Sequence, residues 1–87
     1  MYYVYVIQSE RDKRYYIGYA SNLEKRLNSH NVGLQRWTRN KGPWKLVYSE
    51  SFINKRDAII RERELKNKKS HNAIENIVHS NDDKMRG

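Results

Sequence analysis

The sequence predicts an α+β fold in which helices pack on a small three-stranded antiparallel sheet, in the order β-β-α-β-α-α. Three observations lead there. Residues 2–8, YYVYVIQ, are aromatic and β-branched and stand close to a second such run, YYIGY at 15–19. A third run, KLVYSESF at 45–52, alternates like a strand. Between the second and third runs, and again after the third, apolar residues recur at the spacing of one helix face. Helices that each own one apolar stripe bury it most simply as a layer on the sheet.

Taken in order, the first two strands are separated only by the polar turn SERDKR, so they pair as an antiparallel hairpin. Period-2 alternation sets Tyr3, Tyr5 and Ile7 on one face of the first strand, and Tyr16 with Gly18 on one face of the second. Register decides which of these faces coincide. Ser21-Asn22-Leu23-Glu24 reads as a capping box, the Ser21 hydroxyl accepting from the Glu24 amide while the Glu24 carboxylate reaches back to the Ser21 amide. The helix it starts spans residues 22–32, with Gly33 placed to end it. The stretch LQRWTRNKGPW is an irregular basic loop broken by Gly42-Pro43. Asn54 followed by Asp57 starts a second helix that carries DAIIRERELKNKK to residue 69. Ser70 can cap a last short helix, HNAIENIV. These elements make one domain over residues 1–79, and 80–87 read as a polar, disordered C-terminal tail.

Eighteen Lys and Arg against ten Asp and Glu give a net charge of +8, spread along the chain. Such a surface points to a polyanion, because each phosphate contact releases condensed counterions; charge that serves solubility alone is the plainer alternative. A chain of this size buries about 60–65% of its unfolded surface, so any charged side chain on a core face needs a reason. The absence of cysteine excludes a disulfide framework and a thiolate zinc site. No run approaches the roughly 20 apolar residues of a membrane span, and the short apolar N-terminal run lacks a preceding positive region. The expectation is a soluble, cytoplasmic protein without membrane association.

Three features call for explanation. On the second helix Ala58, Ile59, Glu62 and Leu65 fall within one arc, which sets a carboxylate on the packed face. Glu62 therefore wants an ion-pair partner, a metal ion or an open cleft. On the first helix Leu23, Leu27 and His30 share one stripe, with Arg26 on its flank. His30 reads either as a hydrogen-bonded core residue or as a titratable group beside a guanidinium, a pair suited to a phosphate and a proton on adjacent atoms. Six of the seven tyrosines fall within the first nineteen residues, where packing is the plain reading and a shared site the other.

Tyr3-Val4-Tyr5, followed after ten residues by Tyr16-Ile17-Gly18 and then by Arg26-Leu27-x-x-His30, resembles the GIY-YIG nuclease domain. The resemblance covers residues 2–69 and includes Trp37-Thr38-Arg39, Gly42-Pro43-Trp44 and Lys45-Leu46-Val47-Tyr48. It extends to Ala58-x-x-x-Glu62-x-x-Leu65-Lys66, which is similar to the family's metal-binding helix. The nearest branch is that of stand-alone, single-domain bacterial proteins. The resemblance implies catalytic positions for Tyr5, Tyr16, Arg26, His30 and Glu62, one divalent ion (Mg2+ or Mn2+) on Glu62, and a close backbone approach at Gly18. It implies that Arg26 clamps a non-bridging phosphate oxygen while Tyr5, Tyr16 and His30 position the attacking water and take its proton. Free tyrosine, with a pKa of about 10, is a poor base at neutral pH, so the base role goes to the Tyr5/His30 set as a unit. Two departures stand out. The first motif lacks the glycine and isoleucine of the family's name, and none of Asn67, Asn72 or Asn76 is in register for the asparagine that many members carry.

Arg36, Trp37, Arg39, Lys41, Trp44 and Lys66 are candidates to hold the backbone of DNA and stack a splayed base; the two tryptophans can equally be packing residues. The functional expectation is a metal-dependent endonuclease, or its catalytic module, that hydrolyses DNA phosphodiester bonds. Family members usually join this module to a further DNA-binding domain or a partner protein, so a regulatory partner is expected too. A nucleic-acid-binding domain of the same fold with little turnover is the alternative. A basic protein-interaction module is the third reading, and it would bind without dependence on salt.

Overall fold

The apolar run Val4-Tyr5-Val6-Ile7 forms the middle of a central strand, and all four side chains are buried. The computed structural model describes residues 1–68 and 71–86, with side chains described as far as His79. Its strands are β1 (Tyr2–Ser9), β2 (Tyr15–Ala20) and β3 (Trp44–Phe52), in the spatial order β2-β1-β3 with both pairings antiparallel. Its helices are α1 (Leu23–Asn31), α2 (Lys55–Lys66) and α3 (His71–Arg86). A strand buried on both faces reads as a continuous apolar run, and the two faces of β1 are covered by different helices. Tyr5 and Ile7 pack with Ala20, Trp44 and the α1 residues Leu23 and Leu27. Val4 packs with Ala58 and Leu65 of α2, and Val6 with Ile74 and Val78 of α3.

The hairpin register pairs Tyr5 with Gly18 and Ile7 with Tyr16, so the two alternating sets identified in the sequence lie on one face, toward α1. Between β1 and β3 the pairing shifts at Val6/Ile7, where Tyr48 opposes Val6 and Leu46 opposes Ile7, leaving Val47 as the extra residue of a bulge. Ser9, fully buried at the end of β1, holds the turn: its hydroxyl donates to the Lys41 carbonyl at 2.6 Å and accepts from the Arg11 amide at 3.1 Å.

Helix starts differ from the sequence reading in detail. The N-cap of α1 is Asn22, not Ser21; its side chain accepts from the Lys25 amide at 3.0 Å. Serine and asparagine cap equally well, and the extended backbone at Asn22 (φ −139°) lets the residue nearer the helix do so. Gly33 ends this helix at φ +84°, a conformation that glycine adopts without steric cost. The last helix is longer than HNAIENIV and runs to Arg86, through residues expected to form a tail, because no proline or glycine interrupts residues 71–86. The expected cap Ser70 and the final Gly87 lie outside the described residues. Among the described residues no helix is long and apolar enough to cross a membrane.

The loop from α1 to β3 is pinned at Trp44. Asn31 Oδ1 accepts from the Trp44 amide at 2.7 Å and Asn31 Nδ2 donates to the Trp44 carbonyl at 3.0 Å. The indole Nε1 donates to the Thr38 carbonyl at 3.0 Å, and the ring is buried against Tyr5 and Ile7. Trp44 is therefore a packing residue and not an exposed platform for a base, because the loop folds back and turns the ring into the core. Asn31→Ala removes both hydrogen bonds to the Trp44 backbone and is expected to lower unfolding stability by about 1–3 kcal/mol in urea titration, with the slope of the transition unchanged.

Candidate active site

Tyr5 projects from the central strand toward α1 with its ring across the backbone of Gly18. A Cβ at residue 18 would lie 2.5 Å from the Tyr5 oxygen and 2.7 Å from Cζ, closer than carbon atoms tolerate. The glycine is thus a steric condition for the position of the phenol. A phenolic hydroxyl in a core needs a partner, and Tyr5 Oη lies 2.9 Å from His30 Nε2. The other ring nitrogen, Nδ1, lies 2.7 Å from Thr38 Oγ1, and the Thr38 hydroxyl donates to the Gln35 carbonyl at 3.4 Å. Tyr5, His30 and Thr38 are all at most 2% exposed. The rings of Tyr16 and His30 meet in a T-shaped arrangement at a centroid distance of 5.0 Å.

Burial sets the protonation of this group. Removal from water, reinforced by Tyr16 and Glu62 and opposed by Arg26, holds the Tyr5 phenol well above its ordinary range. Burial, with Arg26 nearby, pushes His30 down to about 4. At neutral pH the pair is uncharged, and a neutral imidazole carries one donor and one acceptor nitrogen.

In front of the neutral pair lies a cavity of about 380 Å³ whose lining includes Tyr5, Tyr16, Gly18, Arg26, Lys55 and Glu62. α1 and α2 pack on opposite faces of the sheet, yet both contribute to this cavity beside the edge strand β2. Arg26 is half-buried, and its guanidinium makes no ion pair or hydrogen bond among the described residues. Glu62 shares the packed face of α2 with the fully buried Ala58 and Leu65, and its side chain is 15% exposed. It pairs with Lys66 one turn on at 3.5 Å; the lysine is 49% exposed, and helical pairs of this kind contribute only about 0.3–0.5 kcal/mol. Among the described residues no three His, Cys, Asp or Glu side chains are placed to hold a metal ion together. A larger cavity of about 680 Å³, lined by Tyr15, Lys45, His71 and Glu75 among others, lies elsewhere and touches none of these groups.

Of the residues singled out in the sequence, Tyr5, Tyr16, Gly18, Arg26 and Glu62 meet at one cavity. His30 stands behind Tyr5 and reaches the cavity only through it. Lys66 is occupied with Glu62. Arg36, Trp37, Arg39 and Lys41 are exposed on the loop from α1 to β3, Trp37 at 72%, and do not line the cavity. Sequence reasoning quoted Thr38 only as part of the Trp37-Thr38-Arg39 resemblance and gave it no role, and it missed Lys55. Nothing in the local pattern marks a threonine eight residues beyond His30 as its partner, and Lys55 is one exposed lysine among many until the helix start sets it at the cavity.

Residues 1–76 match the family model of the GIY-YIG catalytic domain. The chain is 48% identical over 67 residues to a UPF0213 protein of Clostridium perfringens, covering 76% of this chain and 71% of that one. It is 42% identical over 65 residues to a UPF0213 protein of Oceanobacillus iheyensis, covering 74% of each. The solution structure of a UPF0213 protein from Bacillus halodurans is similar in fold, with a TM-score of 0.57 and 32% identity, covering 91% of this chain and 84% of that one.

Two outcomes are expected. Gly18→Ala forces the Tyr5 ring aside and should cost about 1–3 kcal/mol of stability in chemical denaturation, a cost that shrinks when Tyr5 is also replaced by alanine. His30 has a folded pKa of about 4 against 6.5 unfolded, so the unfolded chain binds the extra proton between those values. The stability that His30 contributes is complete above about pH 6.5 and is lost as pH falls toward 4. The slope over this window, read by thermal melts, should flatten in His30→Gln. Asp12, held below its ordinary 3.8 chiefly by the Arg14 backbone amide, loses its contribution only at lower pH.

Proposed function

The chain belongs to the GIY-YIG catalytic domain family, and on that premise we propose that it is an endonuclease that hydrolyses DNA phosphodiester bonds with the help of one divalent ion, Mg2+ or Mn2+. The observation that carries the reading is one cavity whose lining brings Arg26, without an ion pair among the described residues, and Glu62 together with Tyr5 and Tyr16. The donor set fits a hard ion that keeps most of its waters: one carboxylate at the cavity wall, with only a weak competing pair to Lys66. When bound, such an ion supplies positive charge against the charge that grows on the phosphate and its leaving oxygen.

The remaining steps belong to this chain's side chains. Arg26, already free of protein partners among the described residues, offers its fork to a non-bridging oxygen. Lys55 brings a second cation to the same cavity. Tyr16 orients the attacking water through its hydroxyl. Tyr5 is bonded to His30 and lines the cavity, so proton removal from the water falls to the Tyr5/His30 pair. The exposed Arg36, Trp37, Arg39 and Lys41, with the net charge of +8, hold nucleic acid through phosphate contacts and stacking. One observation favours the alternative of a DNA-binding domain with little turnover: Glu62 already has a cation, Lys66, beside it.

Nicking of supercoiled DNA with Mg2+ or Mn2+ decides between them. Wild type should nick, Arg26→Ala should lose at least about 100-fold and Glu62→Gln at least as much, while salt-dependent DNA binding persists in both. Equal nicking by wild type and both variants, or DNA binding by wild type without nicking, contradicts the endonuclease reading.

A further inference from the structure

Thr38 uses its hydroxyl in two directions at once, although it lies on the loop between α1 and β3 and reaches no cavity shared with Arg26 or Glu62. The Thr38–Gln35 contact, 3.4 Å, has one possible direction, from the hydroxyl to a carbonyl that also accepts from the Thr38 amide at 3.3 Å, and this direction places the Thr38 proton there. The Thr38 oxygen is then left to accept from His30 Nδ1, 2.7 Å away. A neutral imidazole that donates from Nδ1 is bare at Nε2. The bare nitrogen lies 2.9 Å from Tyr5 Oη and accepts the phenol proton. In this arrangement every donor has an acceptor, and among the described residues no buried side-chain nitrogen or oxygen lacks a partner.

The opposite tautomer breaks the chain. Nε2–H would point at the Tyr5 oxygen and occupy a lone pair, and the Tyr5 proton would have to turn into the cavity. The Thr38 proton would turn to Nδ1 and leave the Gln35 carbonyl. A Tyr5 whose proton faces the cavity donates to a water there and has one lone pair taken by Nε2–H, whereas one whose proton rests on His30 turns only lone pairs toward that water.

The geometry points to Thr38 as a positioning residue that fixes His30 in the Nδ1–H tautomer and thereby keeps the Tyr5 oxygen an acceptor toward the cavity. The part of this inference that concerns turnover rests on the endonuclease reading; the tautomer does not. Thr38 is 1% exposed, and its own backbone is held by the Trp44 indole, so the hydroxyl is delivered to Nδ1 by a fixed loop rather than by chance contact. The Thr38–His30 spacing of eight residues has no local logic in the sequence, which is why the pairing becomes visible only in the fold.

The test is imidazole nitrogen NMR on wild type, Thr38→Val and Thr38→Ser. Wild type is expected to show His30 with Nδ1 protonated and Nε2 bare near neutral pH, and Thr38→Ser to keep that pattern. Thr38→Val removes the acceptor for Nδ1–H and should shift His30 toward the Nε2–H form. In nicking assays kcat should fall about tenfold or more in Thr38→Val with KM little changed, and recover in Thr38→Ser. A wild-type His30 protonated at Nε2 overturns the inference, and so does a folded Thr38→Val that keeps the wild-type tautomer. Should Thr38→Val fail to fold, the wild-type and Thr38→Ser spectra decide alone. Absence of nicking by wild type counts against the endonuclease reading, while the nitrogen spectra still decide the tautomer.

Discussion

A hydroxyl buried on the central strand governs much of this molecule. Tyr5 carries a polar oxygen into a site only 2% exposed, where an unpaired hydroxyl would cost on the order of 1–3 kcal/mol in a domain with little stability to spare. His30 satisfies it, which fixes how α1 lies against β1. The ring that delivers the oxygen crosses β2 where a Cβ would collide, which fixes a glycine. The imidazole in turn needs a partner for its second nitrogen, and Thr38 supplies it from a loop that the Trp44 indole and Asn31 hold in place. One polar atom in the core thus orders a strand pair, a helix and a long loop.

The same arrangement divides the site electrically. Behind Tyr5 the groups are neutral, because burial disfavours charge on phenol and imidazole alike. In front, α1 and α2 bring Arg26, Lys55 and Glu62 to a partly open cavity where charge is tolerated. On the proposed endonuclease reading, the neutral pair manages a proton without competing for the phosphate, and the charged groups hold phosphate and ion without stiffening the proton path. Glu62 sits at the boundary between these zones. Ala58 and Leu65 on its own helix face pack against Val4, which sets the carboxylate at the cavity wall, and the exposed Lys66 balances its charge at little energetic consequence.

Much of this was legible in the chain itself. Alternation put Tyr5 and Tyr16/Gly18 on defined faces, and the arc of Ala58, Glu62 and Leu65 exposed a carboxylate out of place. What alternation cannot give is register, and only the observed pairing of Tyr5 with Gly18 turns a glycine in a strand into a requirement. The cap of α1 fell one residue later than expected because Ser21 and Asn22 are chemically equivalent caps and the backbone chose between them. Trp44 read equally as a platform for a base and as a packing residue, and the fold of its loop, which no periodic pattern encodes, decided for packing. The roles of Thr38 and Lys55 were invisible for a related reason: each comes from a contact between elements, not from neighbours in sequence.

The central claim is that the cavity beside Tyr5 accepts a hydrated divalent ion on Glu62 within reach of Arg26. Titration of Mn2+ into the labelled protein, followed by paramagnetic broadening of the amide spectrum, measures this without relying on turnover. Broadening should centre on Glu62 and spread to Gly18, Arg26 and Tyr5, and should vanish in Glu62→Gln. Broadening that centres on His71 and Glu75, or that survives the loss of the Glu62 carboxylate, would contradict the account.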